Sequence, residues 1–225
     1  MSEHNEKQEK SKPHPAPVYR FRVDKQAFET QERHLTGAAI LAAAGLDPAL
    51  LILVRAMKGG ARDEIAPGQT VDLGDPGLER FFTMKNEHTN GLEGGCRDFE
   101  LLADDEAALE ATGLAWEART LNGERWLFLR GYPVPAGLLP AQADLGLRLS
   151  ANYPMTEIDM AYFNPPLNSA QPREIPNLAM VPVGDASWQQ WSRHRTPNSW
   201  RPGVDGLDSH LAFVAHFLAA AASAS

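Results

Sequence analysis

Apolar and basic residues alternate over Val18-Tyr19-Arg20-Phe21-Arg22-Val23, the two-residue period of a strand with one face buried. Asp24-Lys25 is a turn and Ala27-Phe28-Glu29-Thr30 a second strand, which together predict a hairpin. The period then lengthens. Thr36-Gly37 supplies an N-cap for a helix carrying Ala38, Ile40, Leu41 and Ala44, and Gly45 stops it. An apolar run from Leu50 to Val54 ends at Gly59-Gly60. Gln69 to Leu73 is a short extended piece and Leu78 to Met84 a last strand. One helix covers one face of such a small mixed sheet, an α+β arrangement.

A second series of elements follows. Leu101 to Ala111 reads as an acidic amphipathic helix with Asp104, Asp105 and Glu106 in its first turn, where the helix dipole favours negative charge. Strands are predicted at Leu114–Leu121, Arg125–Tyr132, Ala143–Ser150 and Glu157–Phe163. Asn122-Gly123 makes the first hairpin turn. Pro133, Pro135 and Pro140 separate the second strand from the third. Asn164 to Pro202 is expected to be a long irregular stretch, and Leu207 to Ala221 a closing helix. The order is helix, four-stranded antiparallel meander, long loop, helix.

Between the two series, Asn86 to Gly95 is polar and glycine-rich, as a linker is. All six lysines precede it and none follows it, a shift in composition that supports two domains. The expected division is a disordered tail over 1–17, a domain over 18–85, a linker over 86–96 and a second domain over 97–225. The formal net charge of −8 argues against nucleic acid as a partner, because phosphate contacts need clustered Lys and Arg. The single cysteine, Cys96, excludes an intrachain disulfide and fits a reducing, cytoplasmic setting. The N-terminal stretch lacks the apolar core of a signal peptide, and the most apolar run, Leu211 to Ala222, is too short to span a bilayer.

The densest chemistry lies in Trp191-Ser192-Arg193-His194, framed by Trp188 and Trp200. A serine hydroxyl is almost wholly protonated at neutral pH and needs an adjacent base to act as a nucleophile. His194 is two residues away, and Arg193 or Arg195 can stabilise an oxyanion. Asp159 either orients His194, as a carboxylate does in a hydrolase triad, or serves as a structural acceptor. Equally, Ser192 can be a hydrogen-bonding loop residue and His194 a packed one. Asp205 and Asp208 read as caps of the last helix, and His210 and His216 as surface or core residues. No His, Asp and Glu constellation has metal-ligand spacing. No Gly-x-Ser-x-Gly elbow surrounds Ser192, which counts against a hydrolase.

The ordered set Tyr19 to Asp24, Leu35-Thr36-Gly37, Ile40-Leu41, Ala44-Gly45, Val71-Asp72-Leu73 and Phe81 resembles the bacterial multiubiquitin family. The resemblance covers about residues 18–85 and implies a β-grasp, ubiquitin-like fold. Ubiquitin-like proteins act through a C-terminal glycine carboxylate. Leu92-Glu93-Gly94-Gly95 is similar to such a tail, but Cys96 follows, so the carboxylate exists only if the chain is cut after Gly95. Gly94 and Gly95 are thus either a processing site or a plain flexible linker.

Ala151-Asn152-Tyr153-Pro154, Ile158 to Tyr162, Pro165-Pro166-Leu167, Trp188 to His194 and Trp200-Arg201-Pro202-Gly203 resemble the prokaryotic E-type branch of the ubiquitin-conjugating superfamily. This covers about residues 97–222 and implies a UBC-like domain. The family places its catalytic cysteine eight residues before a tryptophan; here Ser192 stands eight residues before Trp200. The match implies an oxyester on Ser192 where the family forms a thioester, or else an inactive domain that positions partners. The family's His-Pro-Asn segment has only Phe163-Asn164-Pro165-Pro166 to match it, without the histidine. Asn164, Asn177 and Asn198 remain candidates for the supporting amide. The resemblance further implies an ATP-using activating enzyme, a JAB-type zinc isopeptidase, a ubiquitin-like domain of this chain or a paralogue as cargo, a protein target, and an operon connected with antiviral defence. No cofactor is expected on this chain itself. The absence of lysine after residue 85 suits a domain that holds an activated acyl group, and it also suits the arginine- and alanine-rich usage of a GC-rich genome.

Overall fold

The computed structural model describes residues 17–56, 62–74, 79–85 and 97–223. The tail through residue 16 and the 86–96 segment with Gly94 and Gly95 lie outside the described residues. Among the described residues no helix is long and apolar enough to cross a membrane. The chain is α+β in both halves.

The N-terminal unit opens with the expected hairpin, β1 (Tyr19–Val23) and β2 (Gln26–Thr30). Asp24 turns it at φ 51°, and its carboxylate accepts bonds from the Thr83 amide and hydroxyl, both at 2.8 Å. After β3 (His34–Thr36) comes α1 (Gly37–Ala43), whose N-cap is Thr36, accepting from the Ala39 amide at 3.2 Å. Gly45, at φ +73°, ends the helix as the sequence indicates. Then follow β4 (Leu51–Ala56), β5 (Arg62–Ile65), β6 (Thr70–Asp72) and β7 (Glu79–Lys85). The sheet order is β2-β1-β7-β4-β5, with β1 parallel to β7 and the other pairs antiparallel. Ile40 and Leu41 of α1 pack with Phe21, Val23, Leu53, Ile65, Val71 and Phe81 to form the core. The sequence reading lacks β5 and the β3–β6 ladder. The apolar run read over Leu50 to Val54 is β4, its expected stop at Gly59-Gly60 lies outside the described residues, and β5 pairs antiparallel with it, Leu53 opposite Ile65.

The opposite face of that sheet is also buried. Val54 and Phe82, and Ile52 and Met84, are cross-strand neighbours on β4 and β7. They join one apolar cluster with Leu101, Leu102 and the core of the C-terminal unit. Val54, Phe82 and Met84 retain 5% or less of their exposure. Burying side chains of this size contributes about 1.5–3 kcal/mol each.

The C-terminal unit begins with α2 (Ala103–Ala111), which lies against β7. Next come β8 (Trp116–Leu121), β9 (Glu124–Pro133), β10 (Leu138–Leu139), β11 (Gln142–Leu149), β12 (Ala161–Asn164) and β13 (Asn168–Ser169). The chain closes with β14 (Leu178–Val183), β15 (Ala186–Trp191) and α3 (Leu207–Ser223). The main sheet has six strands in the order β14-β15-β12-β11-β9-β8. The stretch expected to be irregular therefore holds a full hairpin, β14–β15, and the meander has six strands where four were read. The fourth strand also starts later than expected, at Ala161, because Met160 takes a left-handed φ of 65° just before it.

Alternation divides the sheet between two clusters. Leu127, Leu129, Leu145, Leu147, Ala161 and Phe163 face the helical side, where Leu109 of α2 and Val214, Phe217 and Leu218 of α3 lie. Trp126, Phe128, Tyr162 and Trp188 cover the other side. Their rings stand 4.9–6.0 Å apart, from Trp126 to Phe128 and Tyr162 and from Phe128 to Trp188. A buried polar knot ties α2 to α3. The Asp105 carboxylate accepts from the Tyr153 hydroxyl at 2.7 Å and from the Leu207 amide at 3.1 Å. Asp105 thus satisfies the first turn of α3, the role assigned from the sequence to Asp205 and Asp208. Asp205 instead accepts from the Arg201 amide at 2.8 Å, and Asp208 pairs with Lys25 at 2.7 Å.

Candidate functional site

Trp191 is the last residue of β15 and is fully buried. It stands opposite Ala161 of β12 on one side and Leu178 of β14 on the other. Its ring lies 5.7 Å from Phe163 and 5.7 Å from Phe217. Its Nε1–H donates to Gln189 Oε1 at 2.8 Å, and the Gln189 amide also clamps the Leu167 backbone, accepting at 2.8 Å and donating at 3.0 Å. Ser192 therefore leaves the sheet from a rigid anchor. Its amide donates to the Asn177 carbonyl at 3.1 Å, and the residue is half-buried. Among the described residues, the Ser192 hydroxyl makes no hydrogen bond.

The three residues that follow are each fastened to a different part of the molecule. Arg193 donates to the carbonyls of Ser192 (3.1 Å) and Pro176 (3.0 Å), and its guanidinium sits 5.2 Å from the Trp191 ring centre. Two of its donors are thus committed to backbone. His194 Nδ1 bonds Asp159 Oδ1 at 2.8 Å across 35 residues of sequence. Arg195 lies between the Trp200 ring (5.4 Å) and the Phe213 ring (5.1 Å). Trp200 is held in turn by its Nε1–H, which donates to the Pro154 carbonyl at 2.9 Å.

The Asp159–His194 pair is partly exposed, with side-chain exposures of 43% and 58%. Such a pair contributes little to stability, about 1 kcal/mol at most. Its chemical value is orientation. A carboxylate bonded to Nδ1 fixes the orientation of the imidazole and leaves Nε2 as the nitrogen that can take a proton. Beneath the pair lies His210 of α3, fully buried, with Nε2 3.0 Å from the Met160 carbonyl. Burial lowers the His210 imidazole to about 4, so near neutral pH it is uncharged and donates from Nε2–H to that carbonyl. It thereby braces the left-handed Met160, the neighbour of Asp159. The sequence reading leaves His210 as a surface or core residue; its place on α3 beneath Met160 emerges only from packing.

The amide candidates are dispersed. Asn164 ends β12, three residues beyond Ala161, so roughly 10 Å of strand separates it from the Ser192 end. It faces Asp144 across the sheet. Asn198 lies at φ 62° in the exposed turn from Thr196 to Ser199. Asn177, also left-handed at φ 60°, is adjacent through its backbone carbonyl. Two depressions flank the region. One, of about 450 Å³, includes Glu124, Arg148, Glu157 and Asp159 in its lining. The other, of about 710 Å³, runs between Trp200-Arg201-Pro202 and the N-terminal sheet, where Arg20, Arg22 and Arg80 line it.

Residues 101–221, more than half of the chain, match the family described as Prokaryotic E2 family E, and residues 19–86 match Multiubiquitin. No curated protein and no solved structure matches the chain.

Proposed function

The chain belongs to prokaryotic E2 family E and carries a multiubiquitin domain ahead of the family domain, and on that premise we propose that it is an acyl carrier that works through Ser192. This is a ubiquitin-like plus E2-like protein of conjugation type. The observation that carries this proposal is a serine hydroxyl at the end of a rigid strand, without a hydrogen bond among the described residues and two residues from an imidazole held by a carboxylate.

In the proposed reaction an activating enzyme uses ATP to activate the C-terminal carboxyl of a ubiquitin-like protein. Ser192 Oγ attacks the activated carbonyl carbon, a new C–O bond forms, and the activating enzyme's leaving group departs. The hydroxyl proton passes to His194 Nε2, with Asp159 balancing the imidazolium charge. A target nucleophile then attacks the ester and Ser192 recovers its proton. Ser192 and His194 share no hydrogen bond in the structure, and such contacts commonly tighten only when the reacting group is present. Arg193 supports the reading as a positioning residue, since it pins the Ser192 carbonyl. A JAB-type isopeptidase, cutting after Gly95 or removing conjugates, completes the proposed set of partners.

The test is to incubate the chain with activating enzyme, ATP and mature ubiquitin-like protein, then look for an adduct that hydroxylamine cleaves and mild thiol does not. Ser192→Ala is expected to abolish it. Ser192→Cys is expected to convert it to a thiol-labile one. An adduct that survives in Ser192→Ala overturns the assignment. No adduct on the wild type, with a demonstrably active partner enzyme, assigns the domain to a non-catalytic scaffold that docks the activating enzyme and targets.

A further inference from the structure

We infer that the ubiquitin-like domain of this chain is a permanently docked partner of its conjugating-type domain, and that cutting the 86–96 segment does not release it. The outer face of its sheet, through Val54, Phe82 and Met84, forms one continuous apolar cluster with Leu101 and Leu102. A free domain would expose this face as an apolar patch, which water disfavours.

Polar contacts ring the apolar contact. Lys25 Nζ meets Asp208 of α3 at 2.7 Å, and Arg22 donates to the Gly203 carbonyl at 3.3 Å. Lys85 bridges Glu106 and Glu110 of α2, both at 2.9 Å. The domain is therefore gripped by α2, by the 200–204 loop and by the start of α3.

The ends of the cuttable segment lie together. Lys85 reaches Glu106 Oε2 at 2.9 Å, and Arg97, the first described residue after the segment, reaches Oε1 of the same carboxylate at 3.8 Å. Chain continuity between them adds little to an association that the apolar face and the ion pairs already define. Two consequences follow. A glycine carboxylate freed at Gly95 stays attached to a docked domain and does not diffuse as a modifier. Any enzyme that recognises this ubiquitin-like domain must use surfaces other than the β7–β4 outer face, which is already occupied.

The test is independent of Ser192 acylation. A site-specific protease sequence replaces part of 86–96, the purified full chain is cut, and gel filtration with light scattering follows the fragments at falling micromolar concentrations. The expected result is one species containing both fragments at the mass of the intact chain, 24.6 kDa. Fragments that separate overturn the inference, as does a species of twice that mass, which would mean that the face is exchanged between copies. In the cut protein, Lys25→Glu should weaken association several-fold, and adding Asp208→Lys should restore it. A charge swap without rescue would remove this ion pair from the interface.

Discussion

At the scale of single residues, the decisive contact is between Asp159 and His194. Both are legible in the sequence as chemistry-bearing side chains. The sequence leaves two roles open for Asp159, orienting His194 or serving as a structural acceptor, and nothing local chooses between them, because 35 residues separate the pair. His210, whose imidazole braces the Met160 carbonyl, gave no sequence signal of a role at all. If the pair orients the base, Asp159→Asn should slow loading of Ser192 by roughly tenfold to hundredfold while leaving the melting temperature nearly unchanged. Single-turnover loading kinetics beside a thermal melt would check it. An unaltered rate would reduce the pair to a surface contact.

At the scale of elements, the β14–β15 hairpin is the main departure from the sequence reading. Proline at position 182 and the adjacent Gly184-Asp185 turn disguise β14 as a loop. Pro182 is tolerated because β14 is the edge strand and needs no donor on its open side. On β15 the order Trp188-Gln189-Gln190-Trp191 hides the alternation, since Gln189 is buried and its amide acts on backbone. Gln189→Ala leaves the Leu167 backbone groups and the Trp191 indole without partners. Equilibrium unfolding in denaturant should show a loss of about 2–4 kcal/mol. A loss below about 1 kcal/mol would mean that water or a relaxed backbone replaces the clamp.

At the scale of the whole molecule, two buried titratable groups oppose each other. Burial raises the Asp105 carboxyl to about 6, above the ordinary value of about 3.9. The folded state then binds that proton more tightly than the unfolded one, so stability falls as pH rises from about 4 to about 6. Burial lowers His210 to about 4 from an ordinary value of about 6.5. The unfolded state binds that proton more tightly, so stability rises over about the same window. In the wild type the two trends offset each other. Asp105→Asn removes the first and leaves the second, so the variant's stability relative to wild type should climb as pH goes from about 4 to about 6. Urea midpoints at several pH values measure this, and parallel profiles for the two proteins would contradict it.

The architecture divides by the same logic. Local patterning determined the β1–β2 hairpin, the Thr36 cap, the Gly45 stop, the α3 span and the position of the Trp191–His194 block, because each depends on neighbours within a few residues. For Leu78 to Met84 the sequence indicates only a last strand; in the fold the adjacent Phe81 and Phe82 of β7 are buried in different clusters, one on each face of the sheet. Only the tertiary structure decided that the cover of the second face is the conjugating-type domain, that β14–β15 extends its sheet, and that Asp159 meets His194. Periodicity records which side of an element avoids water. It carries no information on which distant element fills that side, and this is set by the packing of the entire chain.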